Sequence, residues 1–162
     1  MNIRKPIDYS SMYVALDRLM VEELPQVELY FEIGRAVCAR TEKGSAVAAS
    51  EYLQAAYPET IGFSPRNLRR MREFFRIYEN VPELRQLAMK ISWTQNVVIL
   101  EAELTMEERA WYLRATEQSS WSKKELADQI SAPAHLKSSL DDVDGMCYTE
   151  REEIVQEYEN QD

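Results

Sequence analysis

Five arginines, Arg66, Arg69, Arg70, Arg72 and Arg76, fall within eleven residues of the stretch GFSPRNLRRMREFFRIYE, Gly62 to Glu79. A guanidinium presents a planar fork of donors that grips phosphate or carboxylate bidentately, so arginine without lysine favours directed contact over diffuse attraction. Other reactive side chains are sparse. Any Ser/His/Asp or Cys/His arrangement would have to use the single His135, and Cys38 lies in an amphipathic stretch where burial as a small apolar side chain is expected. Cys38 and Cys147 form no CxxC pair, and one His leaves too few soft ligands for a structural zinc site. No GxxxxGK[ST], GxGxxG or HExxH pattern occurs, and DDVDG lacks the closing Glu of a calcium loop. The expectation is a protein without catalytic residues, metal or cofactor.

The arginines need a helix to carry them. Ser64 and Pro65 stand at N-cap and first-turn positions, and Gly62 allows a bend before them. At about 100 degrees per residue, Leu68, Met71, Phe74, Phe75 and Tyr78 share one arc of the helix from Pro65 to about Asn80. The five arginines spread over the opposite side, with Glu73 and Ile77 among them. The apolar arc is expected to be core, and Arg69/Glu73 and Arg76/Glu79 are candidate surface ion pairs.

Around this helix the spacing predicts others. Two precede it at roughly 10–23 and 25–42, with Pro25 near the start of the second and Gly44 as its C-cap. A small helix over 45–56 would turn Val47, Tyr52, Leu53 and Ala56 to one side, and Pro58 forbids its continuation. Val81-Pro82 opens a short helix, and ISWTQNVVILEAEL supplies another. Capping boxes read at Thr105/Glu108, Ser122/Glu125 and Thr149/Glu152. Trp93 and Trp121, each after a serine at a helix entrance, are expected to plug core. The fold expected is all-α: one compact multi-helix domain over 8–132 containing a helix-turn-helix-like unit. A linker and acidic tail with a short helix would follow over 133–162.

The formal net charge of −9 is unevenly placed. Residues 1–100 hold 13 Lys and Arg against 12 Asp and Glu, whereas residues 101–162 hold 6 against 16. Residues 138–162 contribute −8 of this, so the body carrying the arginines is near neutral. Such a tail would compete for the arginine face. No apolar run approaches the ~20 residues of a membrane span, and MNIRKPIDYS lacks the apolar core of a signal peptide. With two separated cysteines, a soluble protein of the reducing cytoplasm is expected.

A small helix, a bend with glycine and a basic helix form the outline of a helix-turn-helix. In that arrangement Ser64, Arg66, Arg69, Arg70, Arg72 and Arg76 would reach the phosphates and base edges of DNA, with Asn67 kept near the groove by its place in the first turn. Two other readings stay open: contact with an acidic protein partner or a second subunit, and a solvated face.

Several stretches together resemble the N-terminal domain of YhcG-type proteins, a domain of unknown function. They are LYFEIGRAV (29–37), GFSPRNLRRMREFFRIY (62–78), ISWTQNVVIL (91–100), ERAWYLRATEQ (108–118) and SWSKKELADQI (120–130). The resemblance implies an all-helical DNA-binding domain with Pro65 to Asn80 as its recognition helix. It also implies a nuclease domain of the PD-(D/E)XK type after it. Beyond Ile130 this sequence has only SAPAH and the acidic stretch, without a mixed sheet or a Glu-x-Lys motif. The expectation is therefore a non-catalytic DNA-binding module, regulatory or linked to mobile-element or defence nucleases.

Overall fold

A computed structural model describes residues 6–132. Among them all regular structure is helical: α1 (Ser10–Val21), α2 (Gln26–Cys38), α3 (Ser45–Ala56), α4 (Pro65–Tyr78), α5 (Pro82–Ala88), α6 (Trp93–Glu101), α7 (Met106–Ser119) and α8 (Lys123–Ser131). His135, Cys147, the Thr149/Glu152 box and the acidic tail lie outside the described residues. The chain divides into two compact units, one ending at Arg85 and the other beginning at Gln86, so the boundary falls inside α5.

In the first unit α4 packs most extensively on α2, and next on α3. The reason is visible in side-chain sizes along the crossing. Gly34 of α2 sits against the backbone of α4, and a Cβ at that position would lie 2.1 Å from the Met71 carbonyl oxygen. With no side chain in the way, the two helices approach until Phe31 meets Phe74 edge-on at 6.0 Å and Phe75 at 5.1 Å between ring centres. Phe74 then meets Tyr78 at 5.1 Å, extending the aromatic row along α4. Such edge-to-face and tilted pairs add to the apolar area they remove from water.

The helix starts follow their local chemistry. Pro25 is the N-cap of α2, α3 begins at Ser45 as expected, and α3 ends at Ala56 one residue before the Tyr57–Pro58 pair. Two expectations change. Gly44 is not the C-cap of α2: that helix stops at Cys38, and Gly44 instead precedes α3 as its N-cap with φ −87°. The buried side of α3 is Ser45, Ala46, Ala49, Ser50 and Leu53, whereas Val47 and Tyr52 are half-buried and Ala56 is exposed. This inward face combines four small side chains with Leu53, the one residue it shares with the side expected. Tyr52 instead stacks on Tyr13 of α1 at 4.2 Å and donates to Asp17 at 2.6 Å.

In the second unit α6, α7 and α8 pack on one another. The Thr105/Glu108 capping box is present in both directions, while Ser122 caps α8 through the Glu125 N–H. A further box, Ser92 with Gln95, opens α6. Trp93 is buried as expected, whereas Trp121 is half-buried beside Trp111 at 6.3 Å. Arg109, only 6% exposed, donates to the carbonyls of Ile99 at 2.8 Å and Leu104 at 3.4 Å, closing the C-terminal end of α6.

Candidate nucleic-acid interface

The orientation of α4 is set by residues 57–64, the segment that joins it to α3. This connection is longer than the three or four residues usual in a helix-turn-helix, and it is held at several points. Ser50 and Gln54 of α3 both donate to the Phe63 carbonyl, at 2.6 and 2.9 Å. The Phe63 ring is buried and meets Tyr30 of α2 edge-on. Gly62 has φ +101°, a conformation that L side chains rarely adopt, and a Cβ there would fall 2.4 Å from the Tyr30 hydroxyl. The chain therefore enters α4 from a fixed direction.

At the entrance Ser64 is extended and accepts from the Asn67 N–H at 3.2 Å, with Pro65 in the first turn. The Asn67 amide donates to the Gly62 carbonyl at 2.6 Å. Both polar residues at the head of the helix thus serve the bend first. A groove contact by Ser64 is left to its exposed hydroxyl, and Asn67, half-buried, is turned toward the loop.

Beyond the first turn α4 divides as its pattern predicts. Leu68, Met71, Phe74, Phe75 and Tyr78 are all buried. Burying this arc against α2 and α3 leaves the opposite side to solvent, and there the arginines separate into three groups. Arg66 and Arg69 are exposed, with no ion pair or hydrogen bond among the described residues. Arg70 is half-buried at one flank and already engaged. Arg72 and Arg76 lie toward the other flank, over the loop that follows α2.

The ion pairing also differs from the expected one. Glu73 pairs with Arg76 at 3.7 Å, three residues on, leaving Arg69 and Glu79 out. Both partners are 53% exposed, a geometry in which an ion pair adds little. Arg76 therefore stays available to a stronger anion.

On the Arg72 flank the helix borders a cleft of about 470 Å³ lined by Cys38, Arg40, Thr41, Glu42, Lys43, Ser45, Arg72 and Arg76. Cys38 is half-buried, and its thiol donates to the Arg72 carbonyl at 3.6 Å. Burial pushes this thiol above its ordinary range, with the Arg76 guanidinium opposing the shift. It stays protonated at neutral pH and is a poor nucleophile. No group of three or more His, Cys, Asp or Glu among the described residues could hold a metal ion. Nor is any described helix long and apolar enough to cross a membrane.

A sequence reading finds the α4 arginines but misses the cleft. Arg40 and Lys43 come from a loop some thirty residues earlier, and only the α2–α4 crossing brings them beside Arg72. The family model described as DUF1016 N-terminal domain matches residues 19–137, across both compact units. No curated protein and no solved structure matches the chain.

Proposed function

The chain belongs to the DUF1016 N-terminal domain family, the family of YhcG N-terminal domains, and from that premise we propose a non-catalytic DNA-binding module whose contact surface is the outer face of α4. The observation that carries this reading is the pair Arg66 and Arg69, exposed on a rigidly held helix and unspent on any acid of the described residues. Placing two guanidinium forks one turn apart on a convex helix costs the fold local charge repulsion, and duplex phosphates relieve it. Helix α4 takes the part of the recognition helix, with Arg70 and Arg76 at its sides. The family match is to an N-terminal domain, and in this reading the domain supplies binding while nucleases of mobile elements or defence systems supply cleavage.

Titrating fluorescent duplex DNA with the full chain at two salt concentrations tests this. Wild type should bind with a salt-dependent affinity, and Arg66→Glu with Arg69→Glu should lower the salt slope by about one unit per lost phosphate contact. Absence of salt-dependent binding to any duplex rules the reading out.

One observation favours a second reading, an acidic protein partner or a second copy. Ile61, 90% exposed, stands at the head of the arginine face where an apolar residue suits a protein surface. In that case Ile61→Asp would abolish self-association, or capture of an acidic peptide, while wild type ignores duplex DNA.

A further inference from the structure

The cleft beside α4 carries chemistry that the outer arginine face does not. Four cations, Arg40, Lys43, Arg72 and Arg76, line it against one acid, Glu42. The acid is already used. Arg40 donates to both Glu42 carboxylate oxygens, at 2.7 and 3.1 Å, and its guanidinium lies over the Tyr9 ring at 5.1 Å. The one lining carboxylate is thus held by Arg40, and Arg76 has only its exposed 3.7 Å pairing with Glu73, so Lys43 and Arg72 face the concave space without an acid of their own among the described residues.

Arg72 shows the imbalance most directly. Its Nε is out of contact with solvent and has no hydrogen-bond partner, so a strong donor has been removed from water without replacement. Leaving a buried charged donor unmade is costly, and no acid of the described residues compensates this guanidinium, whose residue lines the cleft where an anion would find it. Helix α3 begins at the rim, where Ser45 lines the cleft and no side chain caps the helix, which adds partial positive charge of the same sign.

We propose that this cleft is a phosphate-binding site, in which Arg72 and Arg76 form the guanidinium contacts and Lys43 closes over the anion from the loop. The site is separate from the outer row of Arg66 and Arg69 and does not depend on that row binding DNA. A phosphate dianion suits it better than a single carboxylate, because three cations from two elements converge on one concavity rather than on a flat fork. Two sources present this chemistry: free phosphate, and the terminal phosphate of a nucleic-acid strand.

Calorimetric titration of the full chain with inorganic phosphate is the test, on wild type and on Arg72→Gln and Lys43→Gln. Lys43 is exposed, so its variant keeps the fold if Arg72→Gln does not. Wild type should bind one equivalent saturably, and each variant should weaken binding by about tenfold, the effect of one charge-assisted hydrogen bond. Arg66→Glu with Arg69→Glu should leave the phosphate titration unchanged, which separates this site from the duplex surface. A 5′-phosphorylated duplex that outbinds its 5′-hydroxyl counterpart, with the difference lost in Lys43→Gln, identifies the strand end as the source. Equal binding of the two duplexes beside intact phosphate binding identifies free phosphate. No saturable phosphate binding by wild type, or unaltered binding by folded Lys43→Gln, overturns the proposal.

Discussion

The two faces of α4 are built from the same fourteen residues and answer to different demands. The inner face has no freedom: Leu68, Met71, Phe74, Phe75 and Tyr78 are all buried, and one carbonyl oxygen of the helix lies only 2.1 Å from where a Cβ on Gly34 would stand. The outer face has no structural duty that the described residues reveal at Arg66 and Arg69. Where packing dictates residue type, a substitution should be read in stability. Where it does not, the same substitution should be silent in stability and audible only in binding.

Gly34→Ala is the most severe way to test the inner face. The added methyl would lie 2.1 Å from the Met71 carbonyl oxygen and 2.9 Å from the Phe75 Cβ, and neither backbone can withdraw without parting α2 from α4. A loss of about 3 kcal/mol or more is expected, read as a fall in the denaturant midpoint. An unchanged midpoint would mean that the crossing is looser than the packing of Phe31 on Phe74 and Phe75 requires.

Gly62→Ala probes the bend that aims the helix, and a smaller loss is expected. Its φ of +101° disfavours alanine, and the Tyr30 hydroxyl would be 2.4 Å from the new carbon. Tyr30 is buried and accepts from Gln26 at 3.3 Å, so its ring moves only by giving up contacts. Thermal unfolding should report a cost of about 1–3 kcal/mol. Duplex affinity should fall as well if the aim of α4 matters to binding, because the Gly62 and Phe63 carbonyls anchor Asn67, Ser50 and Gln54.

How far the sequence exposes this arrangement depends on the range of the interaction responsible. The start of α4 was legible because Ser64, Pro65 and a glycine before them act within one turn, and the apolar arc was legible because helical periodicity is local. The Thr105/Glu108 box was legible for the same reason. Gly34 gives no such signal, since its meaning lies in Met71, far along the chain. Arg109 reads as an ordinary surface arginine until its donors are seen on the Ile99 carbonyl in α6 and the Leu104 carbonyl beyond it. The boundary between the two compact units also escapes, because it falls inside α5 with no glycine or proline at Arg85–Gln86 to mark it. Within the candidate site the arginines were found by composition, but their division into an outward pair and a cleft pair depends on which flank of α4 the loop after α2 approaches.

The smallest effect is the most informative about the outer face. Arg66→Gln with Arg69→Gln removes two charges that neither pair nor pack among the described residues, and glutamine keeps a comparable helix propensity. The free energy of unfolding should therefore change by no more than about 0.5 kcal/mol, the usual range for surface substitutions away from special features. Relief of repulsion between neighbouring arginines would make the small change stabilising. A loss above about 1 kcal/mol would show that the two guanidiniums hold the fold together, and the distinction between the faces of α4 would collapse. A variant equal to wild type in stability and weaker on duplex DNA is what a surface kept for binding should give, because its residues then answer to a partner and not to the core.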